Sequence, residues 1–416
     1  MAIAKRSFIV GGAHTSFIGK GHPDFIWPKH PDFGKKENPT WEELLQQAVD
    51  GLIADTGVHP ADIDRLFLGN FTGELFVNQG HMGAALVGCH PDFANKPSTR
   101  LEGACASGGL AILAGLDAIA AGADMVLVAG VEVQTTVSAR VGGDYLARAS
   151  HYSRQRSIDD FTFPALFGRR AKAYTEAFGV GSADIDAVSV KAYANANKNP
   201  LAHMKAAKMS AETAASSPCF LTNEEYKAYV KMSDCSQVSD GASALLLVSE
   251  AGLAKLGKKI ADTVEVVGRG HSVSSLYADG DLTKLTTSSS AVHKAYADAG
   301  VVANQIDIAE VHDCFAITEV MMYEAAGFAE AGQGGALASS GATAIDGRIP
   351  VNTGGGLIGF GHPVGATGVK QALEIFRQMK GKCGDYQVSK PLHYGLTINM
   401  GGDDKTAVSL VIKNSL

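Results

Sequence analysis

The chain repeats itself. "IVGGAHTS" (9–16) returns as "VVGRGHSV" (266–273), "ADTGVHPADID" (54–64) as "ADAGVVANQID" (297–307), and "CASGGLAIL" (105–113) as "GATGVKQAL" (365–373). Three matches in one order constrain the fold more than any single motif does. A duplicated unit buries its apolar face against its neighbour, so both copies belong to one structure. Each half reads as strand, helix, strand, helix, strand. The unbroken apolar runs "MVLVAG" (125–130) and "ALLLVS" (244–249) suit strands covered on both faces. "GLAILAGLDAIAAGA" (109–123) has helical spacing and small residues throughout, which predicts a helix buried on nearly all sides. The expected architecture is α/β, with similar halves over 1–255 and 256–416. The first half is longer, and its surplus, which includes "ARASHYSRQRSIDDFTFPALFGRR" and a polar helical stretch after it, reads as an inserted loop region over about 135–235, a usual place for substrate contacts.

Composition removes several function classes. Thirty-six basic against 43 acidic residues give a charge of −7, and no basic stripe stands out, so no nucleic-acid partner is expected. No apolar stretch reaches the length of a membrane span. The start "MAIAKRSFIV" is too short and too charged for a secretory signal. Six cysteines (Cys89, Cys105, Cys219, Cys235, Cys314 and Cys383) form no CxxC pair, which points to free thiols in a reducing compartment. Cytoplasm is the default, with a peroxisomal or mitochondrial matrix as the alternative. The final "NSL" lacks the basic residue of the S-K-L address.

Four side chains stand out as chemistry. Cys105, in "EGACASGGLAIL", falls near a helix N-terminus, where exposed N–H groups and the dipole favour a thiolate. A small buried cysteine is the competing reading. His362, in "GGGLIGFGHPVGATG", sits between glycines that let the backbone approach something closely. The repeat puts its loop opposite the Cys105 loop across a pseudo-twofold axis. His312 and Cys314 end the run "IAEVHDCF". Two residues apart in a strand, they would share a face, with Asp313 on the other as a structural anchor. His-x-Cys alone is a weak metal signal, and no further ligands stand at suitable spacing. Arg148, Arg154, Arg156, Arg169 and Arg170 crowd the insert and read as a solvated face or as phosphate contacts. "HPDF", at 22–25, 30–33 and 90–93, has no explanation beyond stiff turns with an aromatic anchor.

Taken together, "GACASG", "SDGASALLLVS", "HDCFAITE", "GGGLIGFGHPVGATG" and "NMGGD" resemble the thiolase superfamily, in thiolase order and over nearly the whole chain. "HDCF" is similar to the sterol carrier protein-type thiolases. Other thiolases carry a second cysteine late in the chain, where this sequence has Asn399, so Cys314 reads as a relocated acid/base. The resemblance implies a thiolase fold: two duplicated βαβαβαββ halves packed as a five-layer αβαβα core, with an inserted loop domain. It implies coenzyme A thioesters as substrates, no permanently bound cofactor or metal, and a homodimer, with a partner subunit possible. Cys105 would be the acylated nucleophile and His362 its base. His312 and a water would form one oxyanion hole; the N–H groups of Cys105 and Gly401 would form a second. Cys314 would move protons, and Ser236 would contact the pantetheine arm. The implied activity is 3-ketoacyl-CoA thiolysis or the reverse condensation. A decarboxylating ketoacyl-synthase-like enzyme and a non-catalytic scaffold are the alternatives. Chain length of the acyl group is not legible.

Overall fold

The computed structural model describes residues 5–415, so Met1–Ala4 of the start and Leu416 of the terminal "NSL" lie outside it. Nine strands form one mixed sheet: β1 Phe8–His14, β2 Arg65–Gly69, β3 Ser98–Leu101, β4 Met125–Glu132, β5 Gly241–Val248, β6 Val264–Val273, β7 Ile308–Glu310, β8 Tyr394–Gly401 and β9 Thr406–Asn414. Their order is β3-β2-β4-β5-β1-β6-β9-β8-β7. The repeat is visible in this order. On one side β1 pairs antiparallel with β5, β5 antiparallel with β4, and β4 parallel with β2. On the other, β6, β9, β8 and β7 pair in the same sequence of directions. β2 continues to β3 in parallel. Its counterpart β7 continues only to a single parallel bridge, Ala309 to Val351. The two sets meet where Phe8 and Ile9 of β1 face Glu265 and Val264 of β6.

Strand alternation explains the unbroken apolar runs. In β4, Met125, Leu127, Ala129 and Val131 enter one core, and Val126 and Val128 enter another. β5 divides likewise, with Leu246 and Val248 on one side and Leu245 and Leu247 on the other. Helix α1 (Trp41–Thr56) covers the outer face of the first set, and its repeat α4 (Thr286–Ala299) covers the second. Both end on a left-handed glycine, Gly57 (φ 71°) and Gly300 (φ 66°), which turns the chain toward the next strand. Between the two sets lie α2 (Ser107–Ala120) and its repeat α6 (Thr367–Met379). They cross at glycines: a Cβ on Gly108 would stand 2.9 Å from Gly365 O and from the N–H groups of Gly368 and Val369. This close crossing brings the N-termini of both central helices together.

Two expectations change. The insert is mainly helical, with Ala139–Leu146, α3 (Thr162–Phe178), Ser182–Ala196 and Ala211–Ala215. The Ser182–Ala196 helix lies against α5 (Ala316–Ala325) and the Gly356–Phe360 turn, so the insert roofs the second half. Apolar residues at helical spacing inside a polar stretch carried that signal. The run "IAEVHDCF" is a strand only as far as Glu310. The Val311 N–H donates to Asn352 Oδ1 at 2.9 Å, so a side chain takes the place of a neighbouring strand and the ladder stops.

The "HPDF" segments also acquire an account. In four of the five His-Pro pairs the histidine caps its own turn. Nδ1 of His22, His30, His59 and His90 accepts the N–H two residues on, at 3.1–3.2 Å. Pro fixes the first turn position and the ring satisfies the next free N–H. The fifth pair, His362-Pro363, uses its ring otherwise.

Candidate active site

Cys105 sits in the tight turn Ala104–Ala106 that leads into α2. Ala104 holds φ at 53°, a region that an alanine adopts only under constraint, and its N–H donates to Glu102 Oε1 at 2.6 Å. His362 sits immediately before α6. His312 and Cys314 lie in the irregular segment after β7. One nitrogen of His312, one of His362 and Sγ of Cys105 all lie within 4.8 Å of one another. The two rings pack edge to face with centroids 5.1 Å apart. Both histidines are buried, and Nε2 of each has no hydrogen-bond partner among the described residues. Two orphaned ring nitrogens beside a thiol define a site aimed at something that enters from outside.

Supports hold each ring. Asp313 turns away from the site, as expected, and accepts the N–H groups of Leu357 (2.7 Å) and Ile358 (3.2 Å). It thereby ties the His312 loop to the glycine-rich loop that carries His362. A Cβ on Gly356 would collide with the Asp313 carboxylate. Ser239 Oγ accepts the His362 N–H at 3.2 Å and meets His203 Nδ1 at 2.8 Å, while His203 Nε2 meets the Lys20 carbonyl at 3.1 Å. His362 Nδ1 lies 2.7 Å from Thr367 Oγ1, whose own proton goes to Pro363 O at 2.9 Å. The threonine oxygen must then accept from Nδ1–H, which leaves Nε2 of His362 with a bare lone pair.

Burial governs the charges here. It pushes the Cys105 thiol up to about 12, against the N–H groups of Gly402 and of Cys105 itself, which favour the thiolate. Desolvation therefore opposes the thiolate that the helix N-terminus favours. Burial likewise pulls His362 down to about 3. His312 is held well below the ordinary histidine range, by burial and then by His362. Cys314 is held well above the ordinary thiol range, by burial and then by the nearby Cys105. Each of these shifts favours the neutral form of its group. The glycine whose N–H reaches the sulfur is Gly402. Gly401 itself is packed so that a Cβ would strike Gly103 O.

Other expected residues fare variously. Ser236 is partly buried and its N–H donates to Cys314 O at 2.9 Å, which brings it to the site's edge. Four of the five arginines are engaged: Arg148 and Arg156 with Asp144, Arg169 with Asp279 and Asp403, and buried Arg170 with Asp403 and three carbonyls. They form ion pairs with neighbouring carboxylates, exposed at Arg148 and buried at Arg170. Exposed Arg154 has no ion pair among the described residues. Sequence reasoning missed Thr367, Ser239, His203 and Glu132. Buried Glu132 accepts from Phe71, Thr72 and Gly365 N–H groups and from Asn70, and burial raises it to about 7. Only its position at the end of an all-apolar strand could have flagged it. Phe71, Leu146, Ala149, Phe163 and Val364 pack around Cys105 as an apolar wall.

The signature described as "Thiolase, N-terminal domain" matches residues 31–251, and "Thiolase C-terminal domain-like" matches 268–414. An acetyl-CoA acetyltransferase of Methanothermobacter thermautotrophicus is 35% identical over 90% of this chain and 94% of its own length. Human sterol carrier protein 2 is 26% identical over 93% of this chain and 68% of its own. Among solved structures, an Ltp2-ChsH2(DUF35) aldolase superposes with a TM-score of 0.79 at 21% identity, over 99% of both chains.

Proposed function

The chain belongs to the thiolase superfamily, and from this we propose that it is an acyltransferase that cleaves 3-ketoacyl-CoA with CoA, or runs the reverse condensation, through a thioester on Cys105. One observation carries the reading: two buried imidazoles, each with an unpartnered Nε2, gather around a single partly buried thiol. His362 Nε2 takes the Cys105 proton as sulfur attacks the keto carbon, so no resting thiolate is needed. The tetrahedral oxyanion is met by backbone N–H groups, Cys105 with Gly401 or its neighbour Gly402. Collapse breaks the carbon–carbon bond and expels the acetyl-CoA enolate. His312 Nε2–H, with a water, steadies the enolate oxygen. Cys314, kept as a neutral thiol by burial, gives its proton to the enolate carbon. An incoming CoA thiol returns a proton to Cys314 and attacks the acyl group, and His362 reprotonates Cys105.

Coenzyme A is thus a substrate, bound and released each cycle. Ser236, beside Cys314, is the proposed contact for its pantetheine arm. β3 is an edge strand with its outer side unpaired among the described residues, which supports a homodimer. A partner subunit is a second proposal, prompted by the two-component assembly named for the solved relative. Six free thiols support a reducing compartment, with cytoplasm as the proposed site. No helix among the described residues is long and apolar enough to cross a membrane.

Ultraviolet absorbance of acetoacetyl-CoA tests the activity. CoA added with the protein should bleach it. Cys105→Ala should abolish bleaching. Cys314→Ala should also stop turnover, yet mass spectrometry should still find one acetyl group on Cys105 after acetyl-CoA. Cys314→Ala at wild-type rate would discard that cysteine as the acid/base. Carbon dioxide release from malonyl-CoA without bleaching would replace thiolysis by decarboxylative condensation.

A further inference from the structure

Asn399 stands on β8, where the resemblance leads one to expect a cysteine, and is almost fully buried. We propose that Asn399 is a positioning residue that fixes His312 in the tautomer whose Nε2 carries the proton, and locks the Cys105 turn to that ring. The inference rests on the reading of His312 as oxyanion donor.

The amide's orientation is decided by its first contact. Asn399 Oδ1 lies 3.0 Å from the Gly109 N–H, and only an oxygen can accept there. Nδ2 must then face the other way. It donates to Cys105 O at 2.9 Å and approaches His312 Nδ1 at 3.5 Å. A donor opposite Nδ1 requires a lone pair on Nδ1, so the ring's single proton sits on Nε2. That Nε2 is the buried nitrogen without a partner among the described residues. His362 is fixed the opposite way by Thr367, which accepts from Nδ1. Two neighbouring imidazoles are thereby given complementary duties, one to accept a proton and one to donate a hydrogen bond. The same amide binds the first turn of α2, the nucleophile's carbonyl and the donor ring, so one side chain sets the distance between attack and charge stabilisation. The arrangement also argues against a metal at this cluster. A ligating histidine gives its other N–H to an acceptor, whereas here Nδ1 meets a donor. The titratable groups facing the His312 ring are His362 and Cys105, with Cys314 on the same loop.

The test begins without turnover. Histidine 15N NMR of the whole protein, with His312 identified by its absence in His312→Ala, should show Nε2–H and a bare Nδ1. Proton on Nδ1 in the wild type overturns the proposal and leaves the thiolase reading standing. Conversely, a correct tautomer in a protein that never bleaches acetoacetyl-CoA removes that reading alone. Asn399→Asp replaces the donor by an acceptor. His312 then offers Nε2–H only as imidazolium, so kcat for thiolysis should fall as pH rises through the ring's new pKa, a limb the wild type lacks. If that variant does not fold, Asn399→Ala decides. It should lose the single tautomer by NMR and lower kcat by about 10²-fold, the cost of one misplaced oxyanion donor, with KM nearly unchanged. Asn399→Ala with an unchanged tautomer, or with wild-type kcat, sinks the idea.

Discussion

At the scale of single residues, burial disfavours the charged form of each reacting group. The Cys105 thiol at about 12 and His362 at about 3 make an uncharged pair, since desolvation penalises thiolate and imidazolium alike. A thiol of that kind should resist alkylation when the protein is free. The rate of iodoacetamide modification at Cys105, followed by peptide mass spectrometry, should climb steadily from pH 7 to pH 10. A plateau below pH 8 would reveal a preformed thiolate and overturn this account of activation. Orphaned Nε2 atoms on His312 and His362 follow from the same economy, because a partner within the protein would compete with the substrate.

At the scale of elements, short polar devices end or bend the chain where the site needs it. Asn352 stops β7 after three residues and so frees His312 and Cys314 from the ladder. Asp313 anchors the following glycine-rich loop. The capped His-Pro turns are a further polar device that bends the chain, and they make a testable claim at His90. His90→Ala should destabilise the protein by about 1 kcal/mol in urea unfolding, the usual cost of a lost cap, whereas His90→Asn should keep most of the stability. Equal loss in both variants would mean that the ring serves by packing and not by accepting the Asp92 N–H.

At the scale of the whole molecule, the two repeats share a core. Leu373, Val369 and Phe376 of α6 pack in one cluster with Val126, Val128, Leu245 and Leu247 of the first half. Removing apolar volume from α6 should therefore be felt across the duplication. Leu373→Ala, fully buried, should cost about 2–5 kcal/mol. Both tryptophans, Trp27 and Trp41, lie in the first half. Their fluorescence should nonetheless report the whole loss, in a single urea transition. Tryptophan midpoints that stay put would show the halves unfolding independently.

The repeats, the apolar strands and the buried central helix were determined by the sequence alone, and Cys105, His312, Cys314 and His362 were singled out there, because each leaves a local mark: a period, a recurrence, or a reactive residue beside glycines. The alternation that sends Val126 and Leu127 into different cores, the helical roof of the insert and the end of β7 at Glu310 depend on partners far along the chain. So do the acceptor nitrogen of His362, the donor nitrogen of His312 and the resting charge of Cys105. A tautomer is chosen by whatever faces the other side of the ring, and a pKa by how much water the fold excludes. Neither is a property of a residue until Thr367, Asn399 and the packed helices have been brought beside it.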